Sequence, residues 1–133
     1  MEAEKPGWCD ALNGLPGLFG SSTHEAFALK RWISFAREVV REHLGGAGTL
    51  SVSDEVAGLL REVTASLQQV DADNFLPTWE RLATLREDFR ARTRMGVDGA
   101  ETRLSGTEIL QFLDAVQGVL ERGLRKAVDE QGL

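Results

Sequence analysis

Apolar residues recur at steps of three and four positions through most of the chain, and this spacing constrains the fold more than any other feature. After Ser105 the apolar positions form one stripe of a helix, made of Ile109, Phe112, Leu113, Val116, Val119, Leu120, Leu124 and Val128. Ser105 and Glu108 have the spacing of a capping box, in which each side chain binds the other residue's free amide. The spacing therefore predicts a long amphipathic helix towards the C-terminus.

A second capping-box pair, Ser22 and Glu25, predicts the start of the first helix. This helix should run to about Leu44, because the glycine pair at 45–46 accepts the left-handed conformation in which helices commonly end. Its apolar stripe is made of Phe27, Leu29, Ile33, Ala36, Val40 and Leu44. Trp32, Phe35 and Val39 widen this stripe, which predicts burial on more than one side of the helix.

Two helices are predicted between these. One should begin near Ser51 or Ser53 and end at the DADN sequence of residues 71–74. The next should cover about Phe75 to Met95, with Pro77 in its first turn, where the missing N–H is not needed. Large aromatic residues on the helical stripes are expected in the core, namely Trp32, Trp79 and Phe89.

These patterns predict an all-α fold, since alternation typical of strands is not evident. Helices of about 20 residues are roughly 30 Å long, and with short connections they should pack antiparallel as two helical hairpins. A chain of 133 residues suffices for one core, so residues 1–133 form a single helical domain or domain fragment. It comprises an irregular head, residues 1–21, and a helical part, residues 22–133. Periodicity leaves open whether the helices close into a bundle or lie side by side as an open slab.

Charge and composition exclude several classes of function. A net charge of −6 argues against a nucleic-acid-binding protein, which needs clustered Lys and Arg to neutralise phosphates. Apolar runs long enough to span a membrane are missing from the sequence, and the charged start MEAEKPG is unlike a signal peptide, so a cytoplasmic protein is expected. Cys9, His24 and His43 do not have the spacing of metal ligands, and neither a metal nor a cofactor is expected.

The head sequence GWCDALNGLPGLFGSS is too rich in glycine and proline to form a helix. Its apolar residues should anchor it as an ordered loop on the helical body, and they are Trp8, Leu12, Leu15, Leu18 and Phe19. Asp10 and Asn13 are then the polar groups that the loop presents, as loops on rigid scaffolds often present binding and catalytic groups. The alternative for Asp10 is that its carboxylate caps a turn.

Trp8-Cys9-Asp10 resembles the Trp-Asn-Asp loop of the cellobiose-phosphorylase-like enzymes, whose catalytic domain is an (α/α)6 toroid. The resemblance implies that Asp10 is the general acid that protonates a glycosidic oxygen, and that Trp8 stacks on the sugar or anchors the loop. Asn13, the other polar group of the loop, is a candidate substrate-binding residue. Cys9 stands where this family has Asn, and Ala11 stands where it usually has Gly. A toroid contains twelve helices, and the sequence predicts about four. On this interpretation the chain would be the C-terminal part of such a domain.

Two functions follow from these observations. The first is a segment of a carbohydrate-active enzyme, a glycoside hydrolase or phosphorylase, that is inactive in isolation. Its partners would be a carbohydrate substrate or inorganic phosphate, together with a second copy or a missing polypeptide. The second is a small acidic helical module for protein interaction, without catalysis. The arginines at 86, 90, 92 and 94 fit either a phosphate site or, more simply, an ion-paired helix face.

Overall fold

The computed structural model describes residues 23–45, 47–71 and 74–126, which contain four helices and two short strands. A helix, a strand and a second helix follow one another twice along the chain. In chain order the elements are α1 (Thr23–His43), β1 (Thr49–Ser53), α2 (Asp54–Gln68), α3 (Leu76–Thr93), β2 (Glu101–Ser105) and α4 (Gly106–Lys126). The predicted mainly helical fold is confirmed, whereas the head and Ser22 lie outside the described residues.

Local capping signals place the helix ends where the sequence predicts them. The Ser53 hydroxyl accepts a hydrogen bond from the Val56 N–H at 3.4 Å, so Ser53 is the N-cap of α2. Pro77 lies in the first turn of α3. The chain leaves α1 at Gly45, whose φ of 53° is in the left-handed region that glycine adopts without steric cost.

The prediction of an all-α chain is wrong in one respect, because β1 and β2 pair as an antiparallel two-stranded sheet. Leu50 lies opposite Leu104 at its second rung, and Ser53 lies opposite Glu101 at the far end. Each strand has five residues and only two or three apolar or β-branched positions, so the alternation is too short to stand out in the sequence. Residues 96–104, which connect the two predicted helices that end at about Met95 and begin after Ser105, therefore include most of β2.

The sheet continues directly into the first residues of two helices. Asp54, at the start of α2, donates its N–H to the Ala100 carbonyl at 3.1 Å. Gly106, at the start of α4, donates its N–H to the Gly48 carbonyl at 3.0 Å. The first N–H groups of a helix have no partner within the helix, and the opposite strand segment supplies one at both helix starts.

The four described helices pack in the order α1, α4, α2, α3, and each is in extensive contact with its neighbours in this row. Lys30 and Arg37 of α1 pair with Glu121 and Asp114 of α4, at 3.8 and 2.9 Å, which shows that these two helices are antiparallel. The expected hairpin of α1 and α2 is therefore wrong, because the β1–β2 pairing directs α2 onto α4. Within the described ranges, α1 and α3 lack the packing that would close a bundle.

The core is a thin layer along this row, and every helix contributes to it. Its buried apolar residues are Ile33, Ala57, Leu67, Leu85, Leu104, Leu113 and Leu124. Of the helices that the structure describes, none has the length and apolarity needed to cross a bilayer.

Where α1 ends and α4 begins the backbones approach closely, since a Cβ on Gly106 would lie 2.5 Å from the Gly45 carbonyl oxygen. Only glycine fits at this contact.

We expect Leu104→Ala to destabilise the fold by about 2–5 kcal/mol, because Leu104 is 1% exposed beneath α2 and α4 and its removal leaves a cavity. Urea unfolding followed by circular dichroism measures this loss. Leu50→Ala is the matched control, since its side chain on the paired strand is 48% exposed and less apolar contact is lost. Equal losses for the two variants would show that the sheet does not pack as described.

Candidate functional site

The face of α1 turned away from α4 carries three large aromatic side chains in contact with solvent. Phe27, Trp32 and Phe35 are 52%, 67% and 57% exposed. Trp32 and Phe35 meet edge to face, with ring centroids 6.0 Å apart and ring planes at 80°. Ala28, Arg31, Trp32 and Phe35 line a shallow depression between them. We call this surface the α1 outer face, and it consists of Phe27, Ala28, Arg31, Trp32 and Phe35.

Helical spacing explains why these side chains share a surface. Ala28, Trp32 and Phe35 follow one another at four and three residues, and Phe27 and Arg31 are likewise four apart. Residues separated by three or four positions lie one above the other on a helix. The outer face therefore extends over more than two turns of α1, a length of about 12 Å from Phe27 to Phe35.

Contacts with α4 fix the rotation of α1 about its own axis. Ile33 is buried on the inner side of the helix. Arg37 donates a hydrogen bond to the Gln117 side-chain oxygen, and Gln117 donates to Glu121 at 2.7 Å. Because Arg37 and Lys30 also pair with acidic residues of α4, rotation of α1 would break several polar contacts together. The outer face is consequently held towards solvent.

The charge of Glu121 supports this attachment. Donation from the Gln117 amide lowers the pKa of Glu121, and the positive charges of Lys30, Arg125 and Arg37 act in the same direction. The carboxylate is therefore ionised at neutral pH and available to Lys30. The aromatic surface is thus backed by a polar network rather than by a deep apolar core.

Acidic residues form a second group around the β1–β2 sheet, where they bind backbone and hydroxyl groups. Glu55 accepts a hydrogen bond from the Asp98 N–H at 3.1 Å, and this bond is the main reason that the pKa of Glu55 is lowered. Asp98 accepts from the Ala100 N–H at 2.8 Å, so its carboxylate caps this turn. Asp54 accepts from the Thr102 hydroxyl at 2.5 Å. These three carboxylates therefore stabilise the turn and the strand ends around the sheet.

Glu108 holds the start of α4 through the predicted capping box. Its carboxylate accepts from both the Ser105 N–H and the Ser105 hydroxyl, at 2.9 and 2.8 Å, while the Glu108 N–H donates to the Ser105 hydroxyl at 3.1 Å. Arg61 of α2 donates to the same carboxylate at 2.9 Å. These bonds, the Ser105 N–H foremost, lower the pKa of Glu108 to about 2.

The residues that the sequence suggested for catalysis, Trp8, Asp10 and Asn13, lie outside the described residues. Of the arginines on α3, Arg86 and Arg90 both bond to Glu87, at 3.2 and 3.3 Å, as expected for an ion-paired helix face. Across residues 23–45, 47–71 and 74–126, groups of three side chains suited to holding a metal are absent.

The expectation that Trp32 and Trp79 are core residues is wrong, since Trp32 is 67% and Trp79 is 47% exposed. The wide apolar face of α1 predicts burial on more than one side, whereas among the described elements α1 packs extensively on α4 and buries one side there. The width of the apolar face nevertheless indicates that α1 has more apolar residues than one contact can bury. On the inner side of α1, Ile33 is buried and Leu29 and Ala36 are half-buried. The apolar side chains at 27, 32 and 35 are exposed on the other side.

Comparisons with protein families, with curated proteins and with solved structures give no match to this chain. The chemistry available at the α1 outer face is therefore judged from its residues. Aromatic rings with a single arginine offer apolar contact, stacking and a charge-assisted hydrogen bond. Among the five residues of the face, Arg31 is the one ionisable side chain, and it can pair with a carboxylate of a bound molecule.

We expect the stabilising effect of Glu108 to depend on pH. Because its folded-state pKa of about 2 is below its ordinary value of 4.5, the stabilisation is present above pH 4.5 and is lost as pH falls towards 2. In Glu108→Gln, the melting temperature should lie below that of the unmodified chain at neutral pH, and the two should converge near pH 2. Melting curves followed by circular dichroism across this range measure the difference.

Arg61→Met is the matched control for this experiment. It removes the contribution of Arg61 and keeps both Ser105 bonds, which are the larger causes of the lowered pKa. Its melting temperature should therefore retain most of the pH dependence. An effect as large as that of Glu108→Gln would contradict the leading role of Ser105.

Proposed function

We propose that the chain is a protein-interaction module that binds a second polypeptide through the α1 outer face. The observation that carries this proposal is the exposure of Phe27, Trp32 and Phe35 together on one fixed helix face. Contiguous apolar surface of this kind commonly marks a binding site, and aromatic residues and arginine are enriched at the centres of protein interfaces. The rigid attachment of α1 to α4 means that little conformational freedom is lost when a partner binds.

The shape of the face favours a polypeptide over a small molecule. The depression beside Trp32 is shallow, whereas sites for small ligands are concave and enclose most of the ligand. A ridge of side chains along more than two turns suits the groove of another helix, as in helix-to-helix packing. The net charge of −6 also disfavours nucleic acid as the partner.

A second candidate function is a segment of a carbohydrate-active enzyme. It rests on the resemblance of Trp8-Cys9-Asp10 to the general-acid loop of the cellobiose-phosphorylase-like enzymes. One structural observation favours it, since the helices at both ends of the row expose apolar side chains, as a piece with missing neighbours would. On α3 these are Leu76 and Trp79. Asp10 would then supply the proton, Trp8 and Asn13 would bind the sugar, and phosphate or water would complete the reaction.

For the interaction module, we expect the double variant Trp32→Gln/Phe35→Gln to lose most of the binding of a hydrophobic dye and to abolish any self-association of the chain. The melting temperature should change little, because both side chains are more than half exposed. Dye fluorescence and light scattering over a concentration series measure the two effects. Met95→Gln, at a residue that is 95% exposed away from the face, is the matched control. Unchanged dye binding and association in the double variant would contradict the proposal.

For the enzyme segment, we expect saturable binding of a disaccharide, measured by isothermal titration calorimetry with and without inorganic phosphate. Trp8→Ala should weaken this binding, because the sugar loses its stacking surface, whereas Trp32→Ala should leave it unchanged. Asp10→Asn should retain binding, since it removes only the transferable proton. Absence of binding across a panel of gluco-configured disaccharides would count against this function.

A further inference from the structure

We infer that the polypeptide bound by the α1 outer face is a second copy of this chain, with the two α1 helices antiparallel about a two-fold axis near Phe35. The inference rests on the proposed interaction function and names its partner. It follows from the distribution of charge along the edge of the outer face.

Two charged residues, Arg31 and Glu38, lie between Phe27 and Phe35 around the helix, on the side of the outer face away from Trp32. They lie on either side of Phe35 along the helix, about one turn before it and about one turn after it. Being seven positions apart, they share the same edge of the helix. Both are exposed, and within the described part of the chain neither takes part in an ion pair, unlike Lys30 and Arg37 on the side of α4.

A two-fold axis perpendicular to the helix and lying in the interface reverses the helix direction and keeps each edge on its own side. Arg31 of one copy then lies opposite Glu38 of the other copy, and the reciprocal pair forms at the same edge. In a parallel pairing the like-numbered residues would instead lie at the same height on opposite edges. Arg31 and Glu38 therefore complement each other between copies in the antiparallel arrangement and not in the parallel one.

Trp32 and Phe35 are compatible with the same operation. Trp32 lies at the opposite edge of the outer face from Arg31, next to Phe35. Pairing about Phe35 brings Trp32 of each copy against the Phe35 region of the other, which removes their exposed rings from water together. An interface made by one helix from each copy is small compared with about 800 Å² per partner in a typical stable complex. The dimer should therefore dissociate on dilution.

Charge exchange across the proposed pair provides the test. Sedimentation equilibrium of the full chain is measured for the unmodified protein, Arg31→Glu, Glu38→Arg and the double variant Arg31→Glu/Glu38→Arg. Each single variant places like charges opposite each other twice, and we expect it to weaken dimerisation roughly tenfold or more. The double variant restores opposite charges and should dimerise within about threefold of the unmodified chain. Circular dichroism confirms that all four proteins are folded.

The outcomes separate this inference from the proposed function. A chain that is monomeric at every concentration overturns the second copy as partner, and dye binding that still depends on Trp32 and Phe35 then leaves another protein as the occupant. A monomer that also binds no dye overturns both, and indicates that residues 1–22 cover the face. If Trp32→Gln/Phe35→Gln abolishes the dimer but every charge variant dimerises as tightly as the unmodified chain, the antiparallel arrangement is overturned. Loss in the single variants and recovery in the double variant support it.

Discussion

The pairing of β1 with β2 is the contact on which the arrangement of the helices depends. The two strands come from different halves of the chain, and each runs without interruption into a helix. Asp54 and Gly106, the first residues of α2 and α4, both donate their backbone N–H groups across the sheet. A short sheet thus determines where two helices begin and brings them into contact, although each strand has only five residues. Leu104 of β2 adds side-chain packing to this backbone pairing, because its side chain is buried beneath the helices.

The row of helices that results explains both the thin core and the exposed surface. Among the elements that the structure describes, the two inner helices, α4 and α2, each pack on two helices, whereas α1 and α3 each pack on one. A helix at the end of a row can bury only one stripe, and α1 has apolar residues for two. Ile33 takes part in the core, and the rings at Trp32 and Phe35 remain on the opposite side. The surface is thus a consequence of the packing order, and the width of the apolar pattern cannot show whether a second neighbour is present.

The parts of the fold that follow from the sequence are those controlled by nearby residues. Ser53, Pro77 and the Ser105–Glu108 pair act within one helical turn, so their spacing alone locates the helix starts. The strands and the packing order depend instead on Leu50 meeting Leu104, more than fifty positions away, and no local pattern encodes that contact. For the same reason the sequence identifies the aromatic residues of the α1 outer face as apolar but predicts that they are buried. The candidate general acid, Asp10, lies in a loop that the described residues do not include.

Both end helices expose aromatic side chains, but their positions make α1 the better interface. On α3 the exposed residues Phe75, Leu76 and Trp79 lie at the helix start, where the chain also has to turn. On α1 the rings occupy the central turns of a helix of 21 residues, and ion pairs with α4 hold that helix from behind. A partner that packs on α1 can therefore contact the helix in both directions from Phe35. A partner that packs on the start of α3 can contact that helix in one direction only. The symmetric placement of Arg31 and Glu38 about Phe35 gives the α1 surface a further property, since a surface that is complementary to itself needs no partner other than another copy.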